Sequence, residues 1–214
     1  MRNTFNDQLA EMHSELQEMG GLCEEAIATS IRSLSDKDPE LIKRTAKLEE
    51  KIDRAEKDIE TLCLRMLLLQ TPIASDLRHV SAAMKMVTDM ERIGDQASDI
   101  AEIAGFIGNA ETPKKVMDDI HGMANDVVKM VREAVASFIS EDIDTASKVI
   151  AYDDAVDDWF NKIREDLVAD LSAGKGGEVT IDLLMIAKYL ERLGDHATNL
   201  AEWVQFSATG TLPG

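Results

Sequence analysis

Residues 91–102 read ERIGDQASDIAE, and residues 191–202 read ERLGDHATNLAE. Seven of the twelve positions are identical, and four others exchange similar residues (Ile/Leu twice, Ser/Thr and Asp/Asn). The remaining pair, Gln96 and His196, differs in kind. The two copies lie 100 residues apart in a chain of 214 residues. A repeat at this spacing predicts two structurally equivalent halves.

Each copy lies on an amphipathic helical pattern, with apolar residues at alternating intervals of four and three. The apolar positions are Met86, Met90, Ile93, Ala97, Ile100 and Ala104 in the first copy, and Ile186, Leu190, Leu193, Ala197, Leu200 and Val204 in the second. At about 100° per residue, the motif's acidic residues lie almost opposite this seam. We therefore expect each helix to have an apolar ridge facing the core and an acidic ridge facing outward.

The composition is strongly acidic: 23 lysines and arginines against 41 aspartates and glutamates give a net charge of −18. Such a surface repels phosphate backbones and anionic lipids, so we expect no nucleic-acid or membrane-surface binding. No apolar run approaches the roughly 20 residues of a membrane span. The N-terminus lacks the layout of a signal peptide. Cys23 and Cys63 have no metal-type spacing, so we expect packed thiols in a reducing cytoplasm.

The first half contains three predicted helices. The first covers residues 4–35. Asp38-Pro39 provides an N-cap and a proline at the first position of the second helix. Thr71-Pro72 ends that helix, because the residue before proline avoids the helical region. The third helix carries the first motif and fades around Gly105–Gly108.

The second half repeats this plan. Thr112-Pro113 begins the fourth helix, and Ser140-Glu141-Asp142 forms a junction with the fifth. The fifth ends before Gly174, and the sixth runs from about Thr180 to Phe206 with the second motif. Short turns make neighbouring helices antiparallel. The sequence therefore predicts an all-α fold of two tandem three-helix bundles, six long helices in all, divided into residues 1–110 and 111–214.

Pairs of acidic residues four apart occur at matching positions in both halves. They are Glu49/Asp53 and Glu91/Asp95 in the first half, and Asp153/Asp157 and Glu191/Asp195 in the second. A single pair is explained by a solvated helix face in an acidic protein. The recurrence is not, because like charges at this spacing destabilise a helix by a few tenths of a kcal/mol. Carboxylates from two neighbouring helices can bridge divalent or trivalent cations, so the pairs are candidate metal ligands.

An internal di-iron site of the ferritin type is disfavoured. That class needs two Glu-x-x-His motifs, and none of the four histidines has a glutamate three residues before it. We interpret His196 as a bystander, because Gln96 occupies the equivalent place. Gly94 and Gly194 indicate either close helix approach or room for a cluster. No nucleophile–base pair or phosphate-cradling glycine loop is found, so the sequence itself predicts no enzyme.

At these residues the chain resembles the PhoU family of phosphate-signalling regulators over essentially its whole length. The resemblance rests on the two three-helix repeats, the ERIGD and ERLGD motifs, and TPIASDLR at residues 71–78. It implies multinuclear metal clusters, often iron, on the bundle surface. The implied ligands are Glu49, Asp53, Glu91, Asp95, Asp99, Asp153, Asp157, Glu191 and Asp195. Asn199 stands where the first half has Asp99, so it is left open whether the second half forms a complete cluster.

The same resemblance implies a cytoplasmic negative regulator of phosphate uptake and of the phosphate-starvation response. Its implied partners are the ATPase subunit of a phosphate import transporter and a sensor histidine kinase, and its implied assembly is a homodimer. Candidate partner surfaces are the acidic ridges and the Gln70–Arg78 turn. Two alternatives stay open from the residues alone: a metal-dependent enzyme or metal buffer, and a purely structural helical spacer.

Overall fold

The structure, a computed structural model, describes residues 2–70 and 73–211. Seven helices occupy these residues, and no strand occurs among them. They are α1 (Arg2–Asp36), α2 (Pro39–Gln70), α3 (Ala74–Ile107), α4 (Lys114–Ser140), α5 (Ile143–Ala151), α6 (Asp153–Ser172) and α7 (Glu178–Thr209). The predicted all-α fold with two tandem three-helix bundles is confirmed: α1–α3 form the first, and α4–α7 form the second.

Local sequence signals explain most helix ends. Asp38 caps α2, because its carboxylate accepts a hydrogen bond from the Glu40 amide at 2.9 Å. Asp142 caps α5 in the same way through the Thr145 amide at 3.0 Å. The end of α2 predicted at Thr71-Pro72 lies outside the described residues.

The predicted fifth helix is divided at Tyr152 into α5 and α6. The Tyr152 amide donates to the Val149 carbonyl, three residues back, at 3.1 Å, so the regular helical pattern is interrupted there. Asp153 and Asp154 then occupy the first turn of α6, where negative charge is favourable. The helical spacing of apolar residues continues across the break, so the sequence pattern does not reveal it.

Four helices form the centre of the molecule and the others lie outside them. Helix α3 packs on α7 and α1 packs on α4, which joins the two halves. Helix α2 packs on α1 and α3, whereas α5 and α6 pack on α4 and α7. Helices α3 and α7 are antiparallel, because the side chain of His79, near the start of α3, bonds Ser207, near the end of α7.

The predicted apolar seams form the core. Met90, Ile93, Leu190 and Leu193 are fully buried and belong to one cluster that continues through both halves. Complete burial of such a side chain contributes roughly 1.5–3 kcal/mol. Cys23 and Cys63 are buried free thiols, and burial raises the pKa of both. None of the described helices combines the length and apolar character needed to cross a membrane.

Candidate metal centre

Three of the predicted ligands meet where α2 packs beside α3. Glu49 and Asp53 lie one turn apart on α2, and Asp95 faces them from α3. Each offers one carboxylate oxygen, and these three oxygens lie within 4.8 Å of one another. All three side chains are half-buried. We call this group the three-carboxylate cluster. It is the one group of histidine, cysteine or acidic ligand atoms this close among the described residues.

A glycine brings the two helices close enough for this meeting. A Cβ atom at Gly94 would lie 3.0 Å from Cδ1 and 3.2 Å from Cγ2 of Ile52. Ile52 and Gly94 each precede a member of the three-carboxylate cluster in sequence. Close approach at Gly94 therefore sets the distance between the carboxylates of α2 and Asp95. The second half repeats the contact, since a Cβ at Gly194 would lie 3.0 Å from Cγ1 of Val156.

Burial and mutual repulsion together raise pKa values in the three-carboxylate cluster. The pKa of Glu49 is raised by burial first, and then by the charges of Asp53 and Asp95. Burial also raises the pKa of Asp95, against the opposing effect of Arg92. The Arg92 guanidinium lies 3.6 Å from Asp95 and 3.5 Å from Glu91. Arg92 is itself exposed, so a bound cation would relieve repulsion that the arginine leaves uncompensated.

Two further glutamates border the three-carboxylate cluster. Glu91 is half-buried rather than facing fully outward, because α2 lies alongside it. Its pKa is raised by burial and then by Asp95. The sequence reasoning missed Glu56, whose pKa is raised by burial first and then by Glu91. Glu56 lies one turn beyond Asp53 on α2. An acid three residues after Asp53 was therefore the sequence signal that could have identified it.

The second half arranges its acids differently. Burial raises the pKa of Asp153, and the Thr198 hydroxyl donates a hydrogen bond to its carboxylate at 3.2 Å. The pKa of Asp195 is raised by burial, then by Glu191 and Asp153. Lys188 forms an ion pair with Glu191.

The matching position in the first half is Thr88, so the lysine is an additional cation that only the second half has at this position. Asp157 is exposed.

Asp99 and Asn199 contact the opposite half, while the charge of Asp99 still adds to the burial and the Asp53 charge that raise the pKa of Asp95. Asn199 donates a side-chain hydrogen bond to Asp89 of α3 at 3.1 Å. Asp99 lies beside the Tyr189 hydroxyl of α7, whose pKa is raised by burial and then by the Asp99 charge. Positions 89, 99, 189 and 199 therefore form two pairs related by the internal repeat.

His196 is the centre of this contact and not a bystander on an exposed face. Its Nδ1 lies 2.9 Å from an Asp89 oxygen, and its Nε2 lies 3.1 Å from the Gln96 amide nitrogen. A neutral ring satisfies both bonds if Nδ1–H donates to Asp89 and Nε2 accepts from Gln96. The one motif pair that differs in kind thus binds α3 to α7.

The chemistry of the three-carboxylate cluster fits a hard cation. Carboxylate oxygens are the donors that magnesium, calcium and manganese prefer, and iron also accepts them. The pKa values of Glu49 and Asp95 are raised, which means that the native fold holds charged groups in unfavourable surroundings. A cation bound between α2 and α3 would reverse that effect.

Comparison with known proteins agrees with the doubled architecture. A family model described as the PhoU domain matches residues 16–104 and again residues 120–204. One match falls on each side of the boundary predicted between residues 110 and 111. A phosphate-specific transport system accessory protein PhoU homolog of Clostridium acetobutylicum is 34% identical over 98% of this chain and 96% of that protein. The PhoU homolog of Pseudomonas aeruginosa is 34% identical over 97% and 86%.

Solved structures show the same architecture. The crystal structure of PhoU from Pseudomonas aeruginosa superposes with a TM-score of 0.90 at 33% identity, covering 97% of this chain and 100% of that one. The phosphate transport system regulatory protein PhoU from Streptococcus pneumoniae gives 0.91 at 23% identity, covering 98% and 99%, an agreement in fold. The doubled domain, the twin motifs and the full-length relatives together place this chain in the PhoU family.

Proposed function

We propose that this protein is a negative regulator of phosphate uptake and of the phosphate-starvation response. It acts in the cytoplasm as an adaptor between the ATPase subunit of a phosphate import transporter and a sensor histidine kinase. The observation that supports this most is the match over nearly the whole chain to proteins named as accessory to phosphate-specific transport. A homodimer is part of the proposal.

We further propose that metal ions bind the acidic groups of both halves and support signalling. The first site comprises the three-carboxylate cluster with Glu91 and Asp99 beside it. The second comprises Asp153, Asp157, Glu191 and Asp195. Iron or another divalent or trivalent cation, in one or several ions, suits these oxygen donors. The Lys188–Glu191 ion pair is a closer contact than either Arg92 ion pair of the first half, so metal meets stronger competition in the second site.

A non-catalytic role is preferred over a metal-dependent enzyme or metal buffer. The relatives are named as accessory and regulatory proteins. The acidic groups lie on helix surfaces, and the described histidines bond other side chains. His13 and His79, for example, approach each other at 2.7 Å between Nε2 atoms.

Gene deletion tests the regulatory role. In the host that carries this gene, we expect deletion to raise alkaline phosphatase activity, as a phosphate-starvation reporter, in phosphate-rich medium. The wild-type gene should restore repression. An unchanged reporter in the deletion strain would contradict the proposed function, and the metal chemistry would become the leading account.

Complementation with cluster variants tests the metal. Asp53→Asn combined with Asp95→Asn removes two charges while preserving shape, so we expect weak metal binding and incomplete repression. The matched control, Asp118→Asn with Asp182→Asn, removes the same charge away from both acidic groups. Full repression by a variant that no longer binds metal would make the metal incidental to signalling.

A further inference from the structure

Helix α2 presents a basic face on an acidic protein. All of its seven lysine and arginine side chains are exposed, namely Lys43, Arg44, Lys47, Lys51, Arg54, Lys57 and Arg65. Of its acids, only Glu40, Glu50 and Asp58 are exposed. The exposed face therefore carries seven positive and three negative charges, a surplus of four, in a chain of net charge −18.

The same face ends in a group of exposed aliphatic side chains, which we call the apolar tip. Leu64, Leu68 and Leu69 of α2 are 49%, 80% and 66% exposed. Ile73 and Leu77, at the start of α3, add side chains that are 60% and 47% exposed. Aliphatic side chains this exposed in one place mark interaction surfaces more often than isolated ones do.

The basic residues and the apolar tip form one continuous strip. At about 100° per residue, Lys47, Arg54, Arg65 and Leu68 fall within one side of α2. The strip from Lys47 to Leu69 is about 33 Å long at 1.5 Å per residue. One partner can therefore contact both the charges and the tip.

Nothing else in the described part of the chain covers this strip. Helix α2 packs on α1 and α3 and on no helix of the second half. At its N-terminal end, Lys43 pairs with Glu40 and Arg44 pairs with Glu25. The cations from Lys47 to Arg65 make no ion pair with any other described residue.

We propose that the exposed face of α2 and the apolar tip together are the docking surface for a protein partner. The complementary partner surface presents acidic side chains beside an apolar groove. The unpaired cations attract the partner and fix its position along α2. The leucines add apolar area that the partner buries at one end. The inference rests on the proposed function, since it names the surface through which the transporter ATPase or the kinase is engaged.

Charge favours a protein over the other two occupants. An anionic bilayer would contact Glu50 and Asp58 together with the cations, and the rest of the chain, at −22, would be repelled by it. A second copy that docked through the same strip would place its seven cations against these seven, so the proposed homodimer forms through another surface. A protein with a local acidic surface can match individual positions on α2 without that repulsion.

The test measures the affinity of the full chain for the transporter ATPase and for the cytoplasmic part of the kinase, both from its own host. The test variant reverses three exposed α2 charges: Lys47→Glu, Lys51→Glu and Arg54→Glu. We expect its dissociation constant to rise on the order of 100-fold for the partner that docks here. Wild-type affinity should also fall between about 50 and about 300 mM salt.

The matched control reverses three exposed charges elsewhere: Lys114→Glu, Arg164→Glu and Lys175→Glu. It changes net charge equally, so we expect wild-type affinity within about threefold and an unchanged circular dichroism spectrum. Leu68→Ser with Leu69→Ser tests the tip, and we expect a loss on the order of tenfold that salt does not alter.

The outcomes separate the two proposals. If the wild-type chain binds and both charge variants bind equally well, the α2 surface is wrong and the regulatory role stands. If the wild-type chain binds neither partner, both fail. Binding to vesicles of about 30% phosphatidylglycerol in phosphatidylcholine, lost in the α2 variant, would instead assign the surface to membranes. Self-association lost in the α2 variant would assign it to a second copy.

Discussion

Asp53→Asn should stabilise the metal-free protein while weakening its response to metal. Asp53 has two carboxylate neighbours, Glu49 and Asp95, with ligand oxygens within 4.8 Å. Two unit charges at that distance repel by about 0.9 kcal/mol in water and about 3.5 kcal/mol at an effective dielectric constant of 20. All three groups keep part of their surface in water, which screens their charges. We therefore use a value near the aqueous end, about 1 kcal/mol for each pair. Removing one charge should therefore raise the unfolding free energy by about 2 kcal/mol.

Denaturant unfolding after treatment with chelator measures this change. At pH 7 the Asp53→Asn midpoint should lie above that of the wild-type protein with an unchanged slope. Metal at about 100 times its dissociation constant should stabilise the wild-type protein by about 2.7 kcal/mol, and Asp53→Asn by much less. Asp118→Asn, an exposed site on α4, should stay within about 0.5 kcal/mol of wild type without metal and respond to metal fully.

The effect must also depend on pH with a definite sign. The pKa values of Glu49 and Asp95 are raised in the folded chain, so the native state binds protons more tightly than the unfolded state. The contribution of these groups to stability is lost as pH rises from their ordinary pKa through the raised one. Asp53→Asn should reduce this loss. A variant that is less stable than wild type without metal, or equally stabilised by metal, would refute the reasoning.

Three further predictions follow from packing and burial. Gly94→Ala should destabilise by about 1–2 kcal/mol in denaturant unfolding, because its Cβ crowds α2, and weaken metal binding in titration. Gly21→Ala, with open space around it, should instead stabilise by up to about 1 kcal/mol. The pKa of His79 is lowered to about 4 by burial and by His13, so stability is lost as pH falls from about 6.5. Between pH 7 and pH 5, the unfolding free energy of the wild-type protein should fall by about 1–2 kcal/mol more than that of His79→Gln. Denaturant unfolding at each pH measures this difference, and equal losses would contradict it. Both buried cysteines should resist a thiol reagent in the native protein and react on unfolding, as a colorimetric thiol assay can follow.

The helices and their core followed from the sequence because their signals are local. Apolar spacing identified Met90 and Leu190 as core positions, and Asp38 identified a helix start. The break at Tyr152 was not predictable in this way, since Val149 and Val156 keep their apolar spacing across it. The break is marked by the hydrogen bond from the Tyr152 amide to the Val149 carbonyl, which apolar periodicity does not report.

The candidate site was predictable in composition and only partly in geometry. The matching acid pairs nominated Glu49, Asp53 and Asp95, and the structure brings these three together. The same reasoning placed Asp99 with them, and the fold sets it against Tyr189, near Asp95 but outside the three-carboxylate cluster. That difference depends on how α3 crosses α7, a contact between positions about 90 residues apart. Metal binding itself remains a prediction.

The polar pairs between α3 and α7 have a consequence for assembly. Asp89 meets Asn199, and Asp99 meets Tyr189, so each carboxylate faces a neutral partner. If two copies of α3 paired with each other by the same antiparallel geometry, Asp89 of each would face Asp99 of the other, and two separate pairs of carboxylates would repel. A duplicated chain risks such pairing between identical repeats of two copies. The divergence at these positions therefore favours pairing of α3 with α7 over pairing of α3 with a second α3.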